Sequence, residues 1–246
     1  AELRERLKNA LRQLRDSEEV PGRTGRLLPG KLYRALCLND ARIFEKQRLG
    51  DQSRVSVDLL LDASTSQEER TELVARQAYI LAESLSALKL PVRVWGYLSM
   101  SGYTVLTRYR DYEEHEKNEE IFRYFTAGAN RDGLAYRAVG ELMAEYPSER
   151  KILIVLSDVT PNDMVKFLYQ GQEQAYAGEG AIENAAKEVR TVSAEGITTL
   201  CVYTGDDAGL PAVQRVFGQN FVKINSLTRF AAAAGRLLEL ALSNPA

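Results

Sequence analysis

Three features of this 246-residue sequence predict an α/β fold with a mostly parallel sheet. From residue 55 onward, short apolar runs rich in Val, Ile and Leu alternate with stretches of helical periodicity. The strand-like runs are largely apolar rather than apolar at every second position, which is typical of strands covered on both faces. Polar loops follow several of these runs, where α/β sheets place their binding sites. We therefore expect a Rossmann-like, doubly wound sheet with helices on both faces.

The elements follow one another in a regular order. The predicted strands are VSVDLLL (55–61), VRVWGYL (92–98), YTVLTRYR (103–110), KILIVL (151–156), ITTLCVY (197–203) and FVKI (221–224). The predicted helices cover 67–88, 134–146, 181–195, 209–217 and 226–242. Met100, Ser101 and Gly102 separate the second strand from the third, and this is too short for a parallel crossover. The strand at 103–110 is therefore predicted to be an antiparallel edge strand.

Residues 1–52 lack this alternation. The segment begins with a charged amphipathic stretch, AELRERLKNALRQLR, and continues into a loop that contains several Gly and Pro residues. A short helix or edge strand is expected near residues 40–49. We therefore divide the chain into an N-terminal helical and loop extension (1–52) and one α/β domain (53–246).

The composition argues against two classes of partner. A net charge of -2 and a charged fraction of 27% give no reason to expect nucleic acid or a membrane surface. No apolar run approaches the roughly 18 residues needed to span a bilayer, and no secretory signal is recognisable. The two cysteines, Cys37 and Cys201, lack the spacing of a metal site, and Cys201 is expected to be a buried thiol. These features fit a reducing cytoplasm.

Three polar loops are expected to converge at the carboxyl ends of the strands. The first runs from Asp62 to Ser66, directly after the run at 55–61; the second is AGANRDG (127–133); the third is SDVTPND (157–163), after KILIVL. Binding sites in open α/β sheets lie at this edge. The loops offer carboxylates, hydroxyls and an amide but no His or Cys, and such a set suits a hard cation such as Mg²⁺.

Each loop also has an ordinary structural explanation. Ser66 and Glu69 have the spacing of a capping box at the start of a helix. Asp158 fits a turn, and residues 130–133 fit a plain turn before a helix. Any one loop is better explained in this way. Three such loops, in order at the ends of apolar strands, favour a binding site.

Three other features are interpreted structurally. His115, the single histidine, lies in a charged run and is expected to be exposed. The stretch YQGQEQAYAGEG (169–180) lacks the Lys-Ser/Thr ending of a phosphate loop and is predicted to be a mobile surface loop beside the metal site. Trp95 is expected to lie in the core.

The three loops resemble the metal-ion-dependent adhesion site of von Willebrand factor type A domains. Asp62, Ser64 and Ser66 match the D-x-S-x-S motif after an apolar strand, and Asp158 matches the Asp that ends another strand. The resemblance covers roughly residues 53–243. It implies that these four residues, with one residue of the second loop, hold Mg²⁺, with Mn²⁺ and Ca²⁺ as alternatives.

The sequence departs from the family pattern at two positions. The Thr that the family usually has in the second loop is replaced: counting back from the helix places Asn130 there, with Asp132 two residues further on. This register favours Asn130 as the ligand, and Asp132 stays open as the alternative. Val159 stands where a Gly often follows the Asp of the third motif, a change expected to affect the loop geometry.

A closer resemblance is to a bacterial branch that includes the nitric oxide reductase activation protein and the metal-site subunit of the aerobic cobalt chelatase. It rests on NRDGLAYRAV, RKILIVLSDVTPND and AIENAAKEVRTVSAEGITTLCVYTGDD. Members of this branch work with AAA+ ATPases of the MoxR or chelatase type. The resemblance implies an adaptor or co-chaperone in the activation of, or metal insertion into, a client protein. An acidic residue of the ATPase or the client would complete the metal shell.

The alternative is a Mg²⁺-dependent phosphoryl-transfer enzyme on a haloacid-dehalogenase-like fold. Such an enzyme needs a nucleophilic Asp, a second Asp two residues later and a charge-compensating Lys. Ser64 stands two residues after Asp62, and none of the three loops contains a Lys. We therefore predict a binding module without catalytic residues.

Overall fold

The computed structural model describes residues 3–6, 8–9, 21–22, 26–27, 29–38, 40, 43–45, 55–224 and 227–243. The strands in this part of the chain are β1 (Pro21–Gly22), β2 (Arg26–Leu27), β3 (Phe44–Glu45), β4 (Val55–Asp62), β5 (Val92–Met100), β6 (Tyr103–Arg110), β7 (Arg150–Ser157), β8 (Asn162–Tyr169), β9 (Gln172–Ala177), β10 (Ile197–Tyr203) and β11 (Phe221–Lys223). The α-helices with defined bounds are α1 (Leu32–Leu38), α2 (Thr71–Ser86), α3 (Asp132–Ala144), α4 (Gly178–Ala194), α5 (Leu210–Phe217) and α6 (Leu227–Ser243).

The centre of the described chain is a six-stranded sheet in the order β11–β10–β7–β4–β5–β6. Neighbouring strands are parallel except β5 and β6, which are antiparallel. The predicted mostly parallel sheet with one antiparallel edge strand is therefore confirmed. Because β4 and β7 lie side by side at its centre, the loops that leave their carboxyl ends are neighbours.

Both faces of the sheet are covered because successive side chains of a strand point to opposite faces. Leu59 and Leu61 of β4 pack with α2 and α6 on one face, whereas Leu60 packs with α3, α4 and α5 on the other. Every residue of β4 is buried. Full burial of a leucine side chain contributes about 1.5–3 kcal/mol, so these apolar runs hold the sheet between its two helical layers.

The N-terminal part of the described chain contains a small antiparallel sheet in the order β1–β3–β2. Leu3 is buried, and it belongs to the same apolar cluster as Phe230 and Leu237 of α6. The helical residues 3–6 therefore contact α6 of the α/β domain, since side-chain atoms of Leu3 and Arg6 lie beside Gly235. The predicted boundary at residue 52 lies outside the described residues and stays a prediction.

Most predicted elements have the expected positions. The strand at 103–110 matches β6 in full, and α3 begins two residues before the predicted helix at 134–146. The helix predicted from residue 67 starts differently: Thr65–Arg70 forms a 3-10 turn, and α2 begins at Thr71. Trp95 and Cys201 are buried and His115 is exposed, as predicted. No described helix is long and apolar enough to cross a membrane.

The prediction of a mobile surface loop at 169–180 is wrong. The strands β8 and β9 pair in an antiparallel hairpin, and α4 begins at Gly178. Tyr169 pairs with Gln172, so the turn consists of Gln170 and Gly171, which have φ values of 50° and 79°. Two successive residues with positive φ are typical of the tight turns that join hairpin strands. The polar, Gln-rich composition of this segment concealed the strand.

Candidate metal and partner-binding site

The first polar loop leaves the carboxyl end of β4 at Asp62, which is fully buried. The backbone amide of Ser64 donates a hydrogen bond to Asp62 Oδ1 at 3.0 Å, and Ser157 Oγ donates to Asp62 Oδ2 at 2.7 Å. Ser64 Oγ lies 3.0 Å from Ser66 Oγ. The loop thus places a buried carboxylate and two neighbouring hydroxyls at one edge of the sheet.

Helix capping does not account for Ser66. The α-helix begins five residues later, at Thr71, and the N-cap residue of the preceding 3-10 turn is Ser64. The Ser64 side chain makes no capping hydrogen bond, and the hydroxyl of Ser66 meets that of Ser64. The two hydroxyls are therefore not required by the helix start.

The second polar loop runs as an extended segment between β5 and the β8–β9 hairpin. Ala129 pairs with Ser99 of β5, and Asn130 pairs with Asn162 of β8. Gly128 has a φ of 64°, and a Cβ atom there would lie 2.5 Å from the carbonyl oxygen of Ser99. A glycine is needed at this position for the loop to approach β5 so closely.

The side chains of Asn130 and Asp132 face the first loop in different ways. Asn130 Nδ2 donates to Asp132 Oδ1 at 2.8 Å and more weakly to Asp62 Oδ2 at 3.4 Å. Its oxygen, Oδ1, points to the hairpin and accepts the backbone amide of Asn162 at 3.0 Å. Because that amide can only donate, it fixes which side of the Asn130 amide faces the site. The carboxyl group of Asp132, in contrast, is buried beside Asp62.

The third polar loop brings Asp158 to the same place. Its Oδ2 lies 3.8 Å from Arg70 Nη1, and its carboxyl group is largely buried. Val159 has a φ of 53°, in the left-handed region that favours glycine, and its side chain is buried on the α3–α5 face of the sheet. Its backbone amide donates to Ser157 Oγ at 2.8 Å. Val159 thus has a backbone conformation that favours glycine, and its side chain adds contacts to the core.

Burial and mutual repulsion raise the pKa values of two carboxyl groups in the site. Burial and then the charge of Asp158 raise the pKa of Asp62 to about 6. Burial, followed by the charge of Asp62, holds the pKa of Asp132 well above its ordinary value. A cation bound between such carboxylates would relieve their mutual repulsion, so this arrangement favours cation binding.

Two buried oxygens at this place fit a cation. Asp132 Oδ2 and Asp158 Oδ1 have no hydrogen-bond partner among the described residues. Leaving such an atom unsatisfied costs about 1–3 kcal/mol, which a bound cation would offset. No three His, Cys, Asp or Glu side chains in the described ranges form a metal cage by themselves. An ion here would therefore also use the hydroxyls of Ser64 and Ser66 and water molecules, as Mg²⁺ commonly does.

Three residues that support the site were not singled out from the sequence. Ser157 holds Asp62, Tyr97 OH donates to Asp132 Oδ1 at 2.9 Å, and Tyr124 OH donates to the backbone carbonyl of Asp62. Of these three residues, Ser157 could have been found from the sequence, because it directly precedes Asp158 in the third loop. The two tyrosines come from β5 and from the segment after a 3-10 turn, and no local pattern marks them.

The chain is similar in sequence to two curated bacterial proteins. It is 25% identical to Protein NorD of Stutzerimonas stutzeri over 180 residues, which is 70% of this chain and 28% of that protein. It is 24% identical to an uncharacterised protein of Pseudomonas aeruginosa over 177 residues, or 70% of this chain and 25% of that protein. The chain thus spans about a quarter of the length of these relatives. No protein-family model matches it.

Solved structures with the same architecture include two pilus proteins and a conserved hypothetical protein, all from bacteria. The vWF domain of the type V pili tip protein Mfa5 from Porphyromonas gingivalis aligns with a TM-score of 0.57 at 12% identity, covering 79% of this chain and 98% of that one. The PilB minor pilin from Streptococcus sanguinis gives 0.59 at 12% identity, over 81% and 64%. The conserved hypothetical protein BatB from Bacteroides thetaiotaomicron gives 0.51 at 11% identity, over 77% and 100%.

These likenesses define the class of the protein at the level of the fold. The chain has a von Willebrand factor type A fold, as the resemblance of its motifs predicted. In sequence it is NorD-like, which agrees with the branch that the motifs around Asp132 and Asp158 indicated.

Proposed function

We propose that this chain is a Mg²⁺-dependent protein-binding module of the adaptor type. The observation that carries the proposal is the pair of buried, unpartnered carboxyl oxygens on Asp132 and Asp158, beside the buried carboxylate of Asp62. They lie with the hydroxyls of Ser64 and Ser66 at the edge of the sheet where α/β folds bind ligands. Mg²⁺, or Mn²⁺ or Ca²⁺ in its place, suits such a set of oxygen donors.

In this proposal Asp62, Ser64 and Ser66 would hold the ion, and Asp158 would act through water. For the second loop we favour Asp132 over Asn130, although the register in the sequence favoured Asn130. The Asn130 oxygen accepts the Asn162 amide, and its Nδ2 group faces the carboxylates, where it would repel a cation. Asn130 then positions Asp132, whose Oδ2 is free of other partners.

The bound ion would supply a positive charge for an acidic side chain of a partner. The three carboxylates around the divalent ion would repel the carboxylate of the partner. Arg70, whose Nη1 lies 3.8 Å from Asp158 Oδ2, offsets part of this negative charge. A charge-assisted contact with fixed geometry gives such an interface its specificity.

The proposed partner is a MoxR-type AAA+ ATPase, or the client protein that such an ATPase activates or supplies with metal. Support comes from the sequence similarity to Protein NorD and from the resemblance of the second and third motifs to that branch. The chain matches 28% of Protein NorD, and we extend the proposal to the adaptor role of the protein to which this chain belongs. We place this function in the cytoplasm, the compartment that the cysteine usage favours.

We assign no catalytic activity to this site. The alternative, phosphoryl transfer on a haloacid-dehalogenase-like fold, requires a second carboxylate two residues after the nucleophile, where Ser64 stands. The named structural neighbours are a pilus tip protein, a pilin and a protein without an assigned reaction. Release of phosphate from a generic phosphate ester, lost in Asp62→Ala, would instead support the enzyme.

Calorimetric titration with Mn²⁺ tests the metal site. The wild type should bind one Mn²⁺, and Asp62→Ala should lose this binding while keeping its far-UV circular dichroism spectrum. Asp207→Ala is the matched control, because that carboxylate is 87% exposed and lies in the loop after β10. Absence of Mn²⁺ binding by the wild type, or its persistence in Asp62→Ala, would refute the proposal.

A further inference from the structure

A cleft of about 190 Å³ lies between the β8–β9 hairpin and the helices α3 and α4. Three cationic side chains line it: Arg131, Arg137 and Lys166. The carboxylate among its lining residues is Glu188, which is almost completely buried. Arg131 stands between Asn130 and Asp132, so the cleft adjoins the candidate metal site without including its proposed ligands.

The charges of the cleft are only partly compensated. Arg137 Nε donates to Glu188 Oε2 at 2.8 Å, and Arg131 Nε donates to Asp163 Oδ2 at 2.8 Å. These ion pairs hold the two guanidinium groups in place but do not use all their donors, since Arg131 Nη2 has no acceptor among the described residues. Lys166 is exposed and supplies a positive charge that no described carboxylate pairs with.

The walls of the cleft are fixed by close packing. A Cβ atom on Gly133 of α3 would lie 2.3 Å from Asn184 Oδ1 of α4, so the two helices approach because this residue is glycine. Tyr176 of the hairpin links both helices: its hydroxyl donates to Asn184 Oδ1 at 2.8 Å and accepts the backbone amide of Gly133 at 3.2 Å. The cleft is therefore a formed feature of the fold, with little need to reorganise on binding.

The size and surroundings of the cleft indicate what it takes. Its volume is below the roughly 300–1,000 Å³ that is usual for small-molecule sites, and it suits a single side chain. Exposed apolar side chains accompany it: Leu134, which lines the cleft, is 40% exposed, and Met164 and Leu168 of the adjoining strand β8 are 86% and 70% exposed. Exposed apolar groups next to a cationic pocket are typical of a protein-binding surface.

We propose that this cleft binds an aspartate or glutamate side chain of the protein partner, at a point separate from the metal. The inference rests on the proposed function in one respect, that the partner is a protein. The partner's carboxylate enters between Arg131 and Lys166. Apolar side chains of the partner, next to that acidic residue, contact Leu134, Met164 and Leu168. A partner that also reaches the metal would be held at two neighbouring points, so that the second contact forms within one complex.

The test uses a hexaglutamate peptide with the isotope-labelled protein in excess EDTA, so that the metal site takes no part. We expect chemical-shift changes at residues of the cleft and the hairpin, and none with hexaglutamine. Lys166→Glu should weaken hexaglutamate binding by about fivefold or more, since it reverses an exposed charge that the ligand would meet. Lys89→Glu makes the same change in the turn before β5, at the opposite edge of the sheet, and should bind as the wild type does.

Equal affinities of Lys166→Glu and Lys89→Glu, or equal binding of the two peptides, would overturn the inference. Inorganic phosphate that shifts the cleft resonances where hexaglutamate does not would overturn it too, because the cleft would then be a small-anion site. Failure of the metal proposal is recognised separately: the wild type would not bind Mn²⁺, whereas the peptide titration in EDTA would be unchanged. Lys166→Glu should bind Mn²⁺ with nearly unchanged affinity, because Lys166 is not among the proposed ligands.

Discussion

The side-chain oxygen of Asn130 accepts a hydrogen bond from the backbone amide of Asn162 at 3.0 Å. The two backbones also pair, with N–H···O distances of 2.9 and 3.1 Å. The hairpin strand β8 thereby fixes the second polar loop and turns Asn130 Nδ2 toward Asp132 and Asp62. A contact outside the candidate metal site thus decides which side of the Asn130 amide group faces that site.

The first prediction compares the two candidate ligands of the second loop. Asp132→Asn should lower the affinity for Mn²⁺ by about tenfold or more, because it removes a buried carboxylate beside the ion. Asn130→Ala should lower it less, since Asn130 positions Asp132 through a hydrogen bond. Calorimetry at one pH measures both, with melting curves in EDTA as the control for folding. The reverse ranking would return Asn130 to the ligand position.

The second prediction concerns the metal-free protein. Burial and the charge of Asp158 raise the pKa of Asp62 to about 6, so at neutral pH the ionised carboxylate destabilises the fold. Asp62→Asn keeps the shape and removes the charge, and it should raise the free energy of unfolding in EDTA by about 1–3 kcal/mol. Urea denaturation measures this change. A loss of stability would mean that the hydrogen bonds to Asp62 outweigh the repulsion.

Addition of Mg²⁺ should stabilise the wild type far more than it stabilises Asp62→Asn. The wild type should gain stability as Mg²⁺ is added, because an ion that binds the native state stabilises it. Asp62→Asn should gain little, since it lacks the carboxylate. Equal gains in the two proteins would place the ion elsewhere.

The third prediction is that the ATPase or client partner binds through the metal. Its affinity should fall by more than tenfold when EDTA replaces Mg²⁺, which corresponds to about 1.4 kcal/mol. Surface plasmon resonance with the immobilised domain measures both conditions. Asp62→Ala in Mg²⁺ should match the wild type in EDTA. If EDTA leaves the affinity unchanged, the partner docks at another surface.

The fourth prediction tests the close approach of the second loop to β5. Gly128 and Gly171 both have positive φ, at 64° and 79°, so alanine at either position costs about 1–2 kcal/mol of backbone strain. At Gly128 the added Cβ would also lie 2.5 Å from the carbonyl oxygen of Ser99, whereas at Gly171 no atom lies within 4 Å. Gly128→Ala should therefore destabilise the protein by about 1–3 kcal/mol more than Gly171→Ala.

Denaturation of both glycine variants in urea gives this difference, and Mn²⁺ titration adds a second measurement. Gly128→Ala should also weaken Mn²⁺ binding, because it displaces the loop that carries Asp132. Gly171→Ala leaves that loop untouched and should bind Mn²⁺ normally. Equal destabilisation by the two variants would show that the loop moves away from β5 without cost.

The sequence by itself predicted the sheet correctly and indicated where the candidate site lies. Apolar runs such as Leu59–Leu61 are local signals, because a strand buried on both faces requires apolar residues on both. The short connection predicted at residues 100–102 indicated the antiparallel edge strand, since no crossover fits into it. Polar residues directly after such strands, Asp62 and Asp158 above all, fall at the binding edge of any sheet of this kind.

The tertiary structure decided how the site is made. The orientation of Asn130 depends on a backbone amide 32 residues away, and the hydroxyl of Tyr97 reaches Asp132 from 35 residues away. The hairpin that orients Asn130 was itself concealed, because its strand β9 is polar and relies on a tight turn and on packing against α4 rather than on apolar periodicity. Contacts between residues so far apart in the chain leave no local pattern, and they form only once the sheet has brought its loops to one edge.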